Sequence, residues 1–295
     1  MKNLITIFLI ILIIGCNENP VKILHIPQNK ITPTPKEIKY LSNEECLKLP
    51  TGLKVYSPDK SLIPIANIFV EQLNQLDIKH QLSFEEEANA NISLLIDDKL
   101  EAEEYNIITD QKILISGGSY KAISLAMTSL LHLIEKKDDH TLLPIVKIRD
   151  YPDATFRGLL IDLARRWHSI KTLKKLVDMS AFYKLNYMQL HLTDDQSFTF
   201  PSKAYPKLAT KDRHYSKEEL VDLVNYAELR GITLIPEIDI PGHSRKFIET
   251  YPEIFSPKLK KWGKNMWGGD AFNNVINIGS EKVYSALDVI LDEVV

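Results

Sequence analysis

Tyr187-Met188-Gln189-Leu190-His191-Leu192-Thr193-Asp194-Asp195-Gln196 is the stretch that decides the fold. Tyr187 to Leu192 reads as a short strand, and it runs straight into a cluster of histidine and carboxylates. Ile232 to Ile238 repeats the arrangement, leading through Pro236-Glu237-Ile238-Asp239-Ile240-Pro241-Gly242-His243. Upstream, the apolar run Phe156 to Asp162 also ends in a carboxylate, followed by Arg165. Amphipathic helices are expected between these strands. Ser169 caps one whose Leu173, Leu176, Val177 and Phe182 fall on or near one face. Ser216-Lys217-Glu218-Glu219 is a capping box opening a second, with Leu220, Leu223, Val224 and Ala227 inward and Gly231 as its stop. A third spans Ser280 to Val294. Alternating strands and helices at this spacing give right-handed βαβ units and a parallel sheet. About three βα units are present, where a closed barrel of this kind needs about eight.

The half before residue 151 has another rhythm. Leu53 to Tyr56, Ile92 to Ile96, Asn106 to Thr109 and Lys112 to Ile115 are strand-like, with a hairpin turn at Thr109-Asp110-Gln111-Lys112. Ser61 to Leu76 and Ser119 to Glu135 carry apolar residues at helical spacing. The expectation is an α+β accessory domain over 36–150, without a catalytic constellation, and an incomplete barrel over 151–295. Gly117-Gly118 before a helix offers a phosphate site on one reading and a plain turn on the other.

Charge balance is even, 36 basic against 39 acidic residues for a net −3, which excludes a nucleic-acid binder relying on a basic face. At 44% apolar residues the chain buries a sizeable core. Residues 1–16 stand apart. Lys2 precedes an apolar stretch from Leu4 to Ile14, short for a membrane-spanning helix of about 20 residues but suited to a signal peptide. Ile13-Ile14-Gly15-Cys16 resembles a lipobox, which makes Cys16 the expected lipidation site and a bacterial cell envelope, periplasmic or surface, the expected location. Cys46 is then left as a single cysteine with no partner in the chain. Asn17 to Pro35 is polar and proline-rich and reads as a tether.

Three strand ends would bring Asp162 and Arg165, His191, Asp194 and Asp195, and Glu237, Asp239 and His243 to one rim. Arginine and carboxylates there make bidentate hydrogen bonds and grip sugar hydroxyls. Asp239 and His243 flank the Pro241-Gly242 turn, which can return the imidazole toward the carboxylate for acid–base relay. No spacing is diagnostic of a metal site, and no cofactor is expected.

These motifs resemble the family-20 glycoside hydrolases, the β-N-acetylhexosaminidases. The matching stretches are Phe156-Arg157-Gly158-Leu159-Leu160-Ile161-Asp162-Leu163-Ala164-Arg165, Tyr183-Lys184-Leu185-Asn186, His191 to Gln196 and Pro236 to Ser244. Pro33-Thr34-Pro35-Lys36 and the junction from Leu143-Pro144 to Asp150-Tyr151-Pro152 look like that family's N-terminal domain. The resemblance covers about residues 33 to 295. It implies an α+β accessory domain before a (β/α)8 barrel. It also implies retaining hydrolysis of terminal N-acetylhexosamine, with the substrate's own acetamido oxygen as nucleophile. Arg165 matches the arginine clamping the sugar's outer hydroxyls. Asp194 matches a rim carboxylate supported by His191, and Asp239 with His243 matches a dyad tuning the general acid. Each has a plainer reading: Arg157 and Asp162 as a structural ion pair at the barrel mouth, Asp195 as a helper that does not touch sugar, His191 as a satisfied core histidine, Glu237 as ligand or structure. Trp167, Trp262 and Trp267 stack on sugar or simply pack.

Two departures matter. Arg166 stands where the family usually has histidine. The family's general acid and its acetamido-orienting partner lie in Gly-Gly-Asp-Glu, which does not occur here. Asp292-Glu293 imitates it but falls on the apolar-faced helix from Ser280. The expectation is a truncated chain, inactive alone, whose third barrel strand is an open apolar edge. A non-catalytic lipoprotein binding amino sugars or a partner is the alternative. A metal-dependent hydrolase using His191, Asp194 and His243 is a third.

Overall fold

The computed structural model describes residues 21–22, 30–257 and 274–294. Cys16, Trp262 and Trp267 lie outside the described residues. Among those described, no helix is long and apolar enough to cross a membrane. The N-terminal half runs β1 (Val21–Lys22), β2 (Glu37–Tyr40), β3 (Glu45–Leu49), β4 (Gly52–Tyr56), α1 (Ile63–Gln75), β5 (Gln81–Phe84), β6 (Ile92–Ile96), β7 (Tyr105–Thr109), β8 (Ile113–Gly117), α2 (Tyr120–Leu133), β9 (Glu135–Lys137), β10 (His140–Pro144) and β11 (Val146–Asp150). Seven strands form one mixed sheet, β2-β11-β7-β8-β6-β4-β5, and four form a second, β1-β3-β10-β9. Phe69 and Leu73 of α1 and Ile123, Ala126 and Leu130 of α2 bury against Leu94, Ile107 and Ile115 of the larger sheet. The smaller sheet was not expected from sequence. Its strands are short, and the chain leaves it at Pro144 and enters the larger one at Val146. Thr109 stitches that crossing, its Oγ1 donating to the Pro144 carbonyl at 2.6 Å and accepting from the Val146 N–H at 2.8 Å.

The stretch read as a tether is partly built in. Val21 and Lys22 pair with Cys46 and Glu45 of β3, and Ile31 is buried in the core. Cys46 is buried and unpaired, and burial pushes its thiol pKa up. Gly117-Gly118 is a packing device, not a phosphate cradle. A Cβ on Gly118 would stand 2.1 Å from the Glu101 carbonyl oxygen, and one on Gly117 2.8 Å from the Ala122 Cβ.

The C-terminal half holds β12 (Gly158–Asp162), α3 (Ile170–Phe182), β13 (Tyr187–His191), α4 (Lys217–Glu228), β14 (Thr233–Glu237), α5 (Arg245–Thr250), α6 (Pro252–Phe255) and α7 (Glu281–Val294). β12, β13 and β14 form a parallel sheet in that order. The fold is α/β: an α+β accessory unit followed by the first βα units of a (β/α)8 barrel. Ser169 caps α3 and the Ser216–Glu219 capping box opens α4, as their sequences require. Leu173 and Val177, with Leu223 and Ala227, bury on the sheet with Val283 and Ile290 of α7. Asp292 and Glu293 are helical, and the Glu293 carboxylate accepts the Lys203 and Ala204 N–H groups. Both β12 and β14 are sheet edges among the described residues, and the open apolar edge is chiefly the first strand rather than the third. On β12, Leu159 and Leu160 are 38% and 53% exposed.

The two halves join at the end of the parallel sheet where its strands begin. Arg157 makes a two-pronged contact to Glu103 at 2.9 and 3.1 Å and donates to the Lys184 carbonyl. It does not pair with Asp162, as the barrel-mouth reading had it: the two residues stand at opposite ends of β12. Lys184 plunges between the halves, its Nζ 2.9 Å from Tyr105 Oη and 3.1 Å from Asp150 Oδ2.

Candidate active site

Strand register assembles the site. Asp162 is directly opposite His191, and His191 directly opposite Glu237. The last residues of three parallel strands therefore stand side by side at the carboxyl end of the sheet, where α/β proteins place their ligands.

Asp194 is the hub. It is 2% exposed, and four donors converge on it. Arg165 Nη2 bonds its Oδ2, joined by His191 Nε2 at 3.1 Å. Its Oδ1 accepts the Asp195 N–H at 2.6 Å and faces His243 Nδ1 at 3.2 Å. A carboxylate offers about four acceptor positions, so the protein itself fills Asp194. Arg165 also reaches back to Asp162, by Nη1 to Oδ2 at 2.6 Å and by its backbone N–H to Oδ1 at 2.9 Å. Burial opposes the Asp162 anion, but these Arg165 contacts outweigh it and hold its carboxyl below the usual range. The same bond to Asp162 raises the pKa of Arg165, whose guanidinium remains half exposed at the rim. Two of its five N–H donors serve these carboxylates. The other three have no partner among the described residues.

His191 is buried between Asp194 and Glu237, with Nδ1 2.8 Å from Glu237 Oε1. Burial resists its charge, but the bonds to Glu237 and Asp194 prevail and raise its pKa. Gln189 Nε2 donates to the second oxygen of Glu237 at 2.6 Å, so Glu237 is committed inward.

The loop after β14 brings His243 to Asp194, not to Asp239 as the turn suggested. His243 sits at φ +52°, a left-handed conformation costing on the order of 1 kcal/mol for a residue with a Cβ. Neighbours enforce it: Ser244 N–H donates to the Asn274 carbonyl at 2.8 Å, and Ile276 N–H to that of Pro241 at 2.9 Å. Asp239 is tied through its backbone N–H to Thr193 Oγ1 at 2.9 Å. Asp195 clasps the Arg245 N–H and Asn274 Nδ2, at 3.3 and 3.0 Å. Helices α5 and α6 were not anticipated. Phe247, Tyr251 and Phe255 at four-residue spacing were their signal. Phe247 meets Phe198 edge-on at 5.2 Å and Phe255 at 4.9 Å. Such pairs contribute about 0.5–1.5 kcal/mol each and bolt the loop after β14 to the loop after β13. Trp167 stacks on Tyr215, their ring centres 5.8 Å apart.

Two sets, His191 with Asp194 and Asp239, and Asp194 with Asp195 and His243, bring possible metal-ligand atoms within 4.8 Å of one another. Both share Asp194, whose acceptor positions are already taken by Arg165, His191, the Asp195 N–H and His243.

Comparison with known proteins places these features. The glycosyl hydrolase family 20 catalytic domain matches residues 155–295, and domain 2 of the same family matches residues 28–151. A beta-hexosaminidase of Vibrio furnissii is 30% identical over 288 residues, covering 90% of this chain and 46% of its own length. One of Porphyromonas gingivalis is 30% identical over 265 residues, covering 80% and 33%. Among solved structures, a family-20 exo beta-N-acetylglucosaminidase of Vibrio harveyi in complex with N-acetylglucosamine superposes with a TM-score of 0.82 at 24% identity, over 94% of this chain and 46% of that one. A Flavobacterium johnsoniae chitobiase gives 0.75 at 27%, over 90% and 42%. The chain spans about half the length of these relatives or less.

Proposed function

Because this chain belongs to glycosyl hydrolase family 20, we propose that its rim grips the non-reducing N-acetylhexosamine of an oligosaccharide or glycoconjugate for β-N-acetylhexosaminidase chemistry. In that chemistry the bound sugar's 2-acetamido oxygen attacks its own anomeric carbon, and a protein acid protonates the leaving oxygen. Arg165 is the sugar-binding residue: held from behind by Asp162 and Asp194, it presents three further N–H groups to vicinal hydroxyls. Asp194 and His191 set its position, and His243, hung on the same carboxylate, is the proton-tuning group of the reaction, with Asp239 close to Asp194. The carrying observation is the in-register meeting of Asp162, His191 and Glu237 beneath a rim arginine with uncommitted donors. Residues 1–295 contain no Gly-Gly-Asp-Glu sequence, so the role proposed for these residues is recognition, and turnover requires that acid in addition. The leader residues extend the reading to a lipid anchor at Cys16 in a bacterial cell envelope. Retention of a Cys16→Ser variant in the membrane fraction would remove that part.

Saturation-transfer NMR of the full chain with N-acetylglucosamine tests the sugar reading. Transfer to the ring and acetamido protons is expected, with loss of roughly tenfold or more in affinity for Arg165→Ala, the scale of one charged hydrogen bond. Equal transfer to both forms would remove Arg165 from the site. In a form of the protein that also carries the Gly-Gly-Asp-Glu acid, release of p-nitrophenol from the N-acetylglucosaminide separates enzyme from binder: turnover excludes a purely binding lipoprotein, and turnover that resists chelator excludes the metal-dependent reading.

A further inference from the structure

We infer that Glu237 is a positioning residue of this site: it holds His191 as an imidazolium against Asp194, and so fixes the anion on which Arg165 and His243 hang. The inference deepens the sugar-binding reading and rests on it for its consequence, though not for its chemistry. The argument is one of hydrogen-bond stoichiometry. Both nitrogens of His191 lie within bonding distance of carboxylates, Nδ1 2.8 Å from Glu237 and Nε2 3.1 Å from Asp194. An ionised carboxylate only accepts, and a neutral imidazole has one N–H. A neutral ring between two anions would set a lone pair against a lone pair in a nearly dry place, where an unmade bond is costly.

Two states satisfy the contacts: an imidazolium between two carboxylates, or a neutral ring with the proton on one of them. Asp194 is bound to its anionic form by the Arg165 guanidinium and the Asp195 N–H. The choice therefore falls on Glu237, and its second oxygen accepts from Gln189 at 2.6 Å, which also favours the carboxylate. The surroundings agree. Asp162 stands beside His191 at the end of β12, Asp239 brings a fourth carboxylate from the loop after β14, and Arg165 is the facing cation. A second positive charge at the centre offsets part of the excess negative charge of this cluster. Without Glu237 the ring would lose the acceptor that keeps Nδ1 protonated, and the donor it offers to the Asp194 oxygen shared with Arg165 would be a neutral N–H in place of a charged one.

The test uses the full chain labelled with 15N-histidine, titrated from about pH 5 to 9 without sugar and read by two-bond 1H–15N spectra. His191 is expected to remain an imidazolium at pH 7, with its midpoint above the ordinary value of about 6.5. In Glu237→Gln the midpoint is expected to fall below that of the native chain. Affinity of that variant for N-acetylglucosamine is expected to match the native value at pH 5.5 and to be roughly tenfold weaker at pH 8, the loss of one charged hydrogen bond. A single N–H on His191 at pH 7 in the native chain would overturn the inference, as would an unmoved midpoint in the variant. The native spectra decide the matter even if the variant does not fold. An intact imidazolium with no sugar binding in any form would refute the sugar reading and leave the Glu237–His191 relay standing.

Discussion

Asp194 shows how one residue can organise a rim without being exposed on it. Its four acceptor positions are taken by Arg165, His191, the Asp195 N–H and His243, so changing it alters three other side chains together. In Asp194→Asn one oxygen becomes an NH2 group facing donors. Leaving charged partners unsatisfied in a buried place costs about 3 kcal/mol, and we predict a drop of that size in urea unfolding. An unchanged midpoint would show that the hub carries no energy. The sequence made Asp194, His191, Arg165 and His243 legible as candidates because each lies at or shortly after the end of a strand. Which of them touch was not legible: His243 lies four residues from Asp239 in the chain but bonds an aspartate 49 residues away.

Three helices end in the same motif, and only one advertises it. The residue after the last turn adopts a left-handed conformation at Asp77 after α1, Lys184 after α3 and Gly231 after α4. In each, the next N–H reaches back five residues, as Ile78 to Leu73, Leu185 to Ser180 and Ile232 to Ala227. Glycine is the unstrained choice, and Gly231 was readable as a stop. Gly231→Ala should cost about 1–2 kcal/mol from backbone conformation alone, because its Cβ would have room, with Ser124 Oγ 3.6 Å away. A urea midpoint unchanged by the substitution would contradict this. Lys184 accepts that same strain because its side chain neutralises Asp150 between the halves. Lys184→Gly therefore sets two effects against each other: about 1 kcal/mol of relief against about 3–5 kcal/mol for an uncompensated buried charge. Net destabilisation of about 2–4 kcal/mol is expected from denaturant titration, and a stabilised variant would reverse the order of the two.

At the scale of the molecule, the junction of the halves is polar, partly buried and sensitive to acid. His132 of α2 meets the Phe182 ring of α3 edge-on at 4.3 Å. Burial, and then repulsion from Lys184, pulls its pKa down to about 4. Between there and the ordinary value of about 6.5 the unfolded chain holds a proton that the folded one refuses, so stability falls as pH drops through that window and levels off below it. Urea midpoints measured from pH 7 to 4 should show this slope, and His132→Gln should flatten it; an identical slope in the variant would clear His132. The sequence by itself determined the five longer helices, with the caps of α3 and α4, the parallel βα rhythm, the family and the residues crowding the strand ends. Those are local matters of periodicity, capping and strand length. Tertiary structure alone decided the smaller sheet, the Lys184 plug, the Arg157–Glu103 join and the partner of His243. Each of these joins groups far apart in the chain, and register and burial choose among many possible partners only once the strands are side by side.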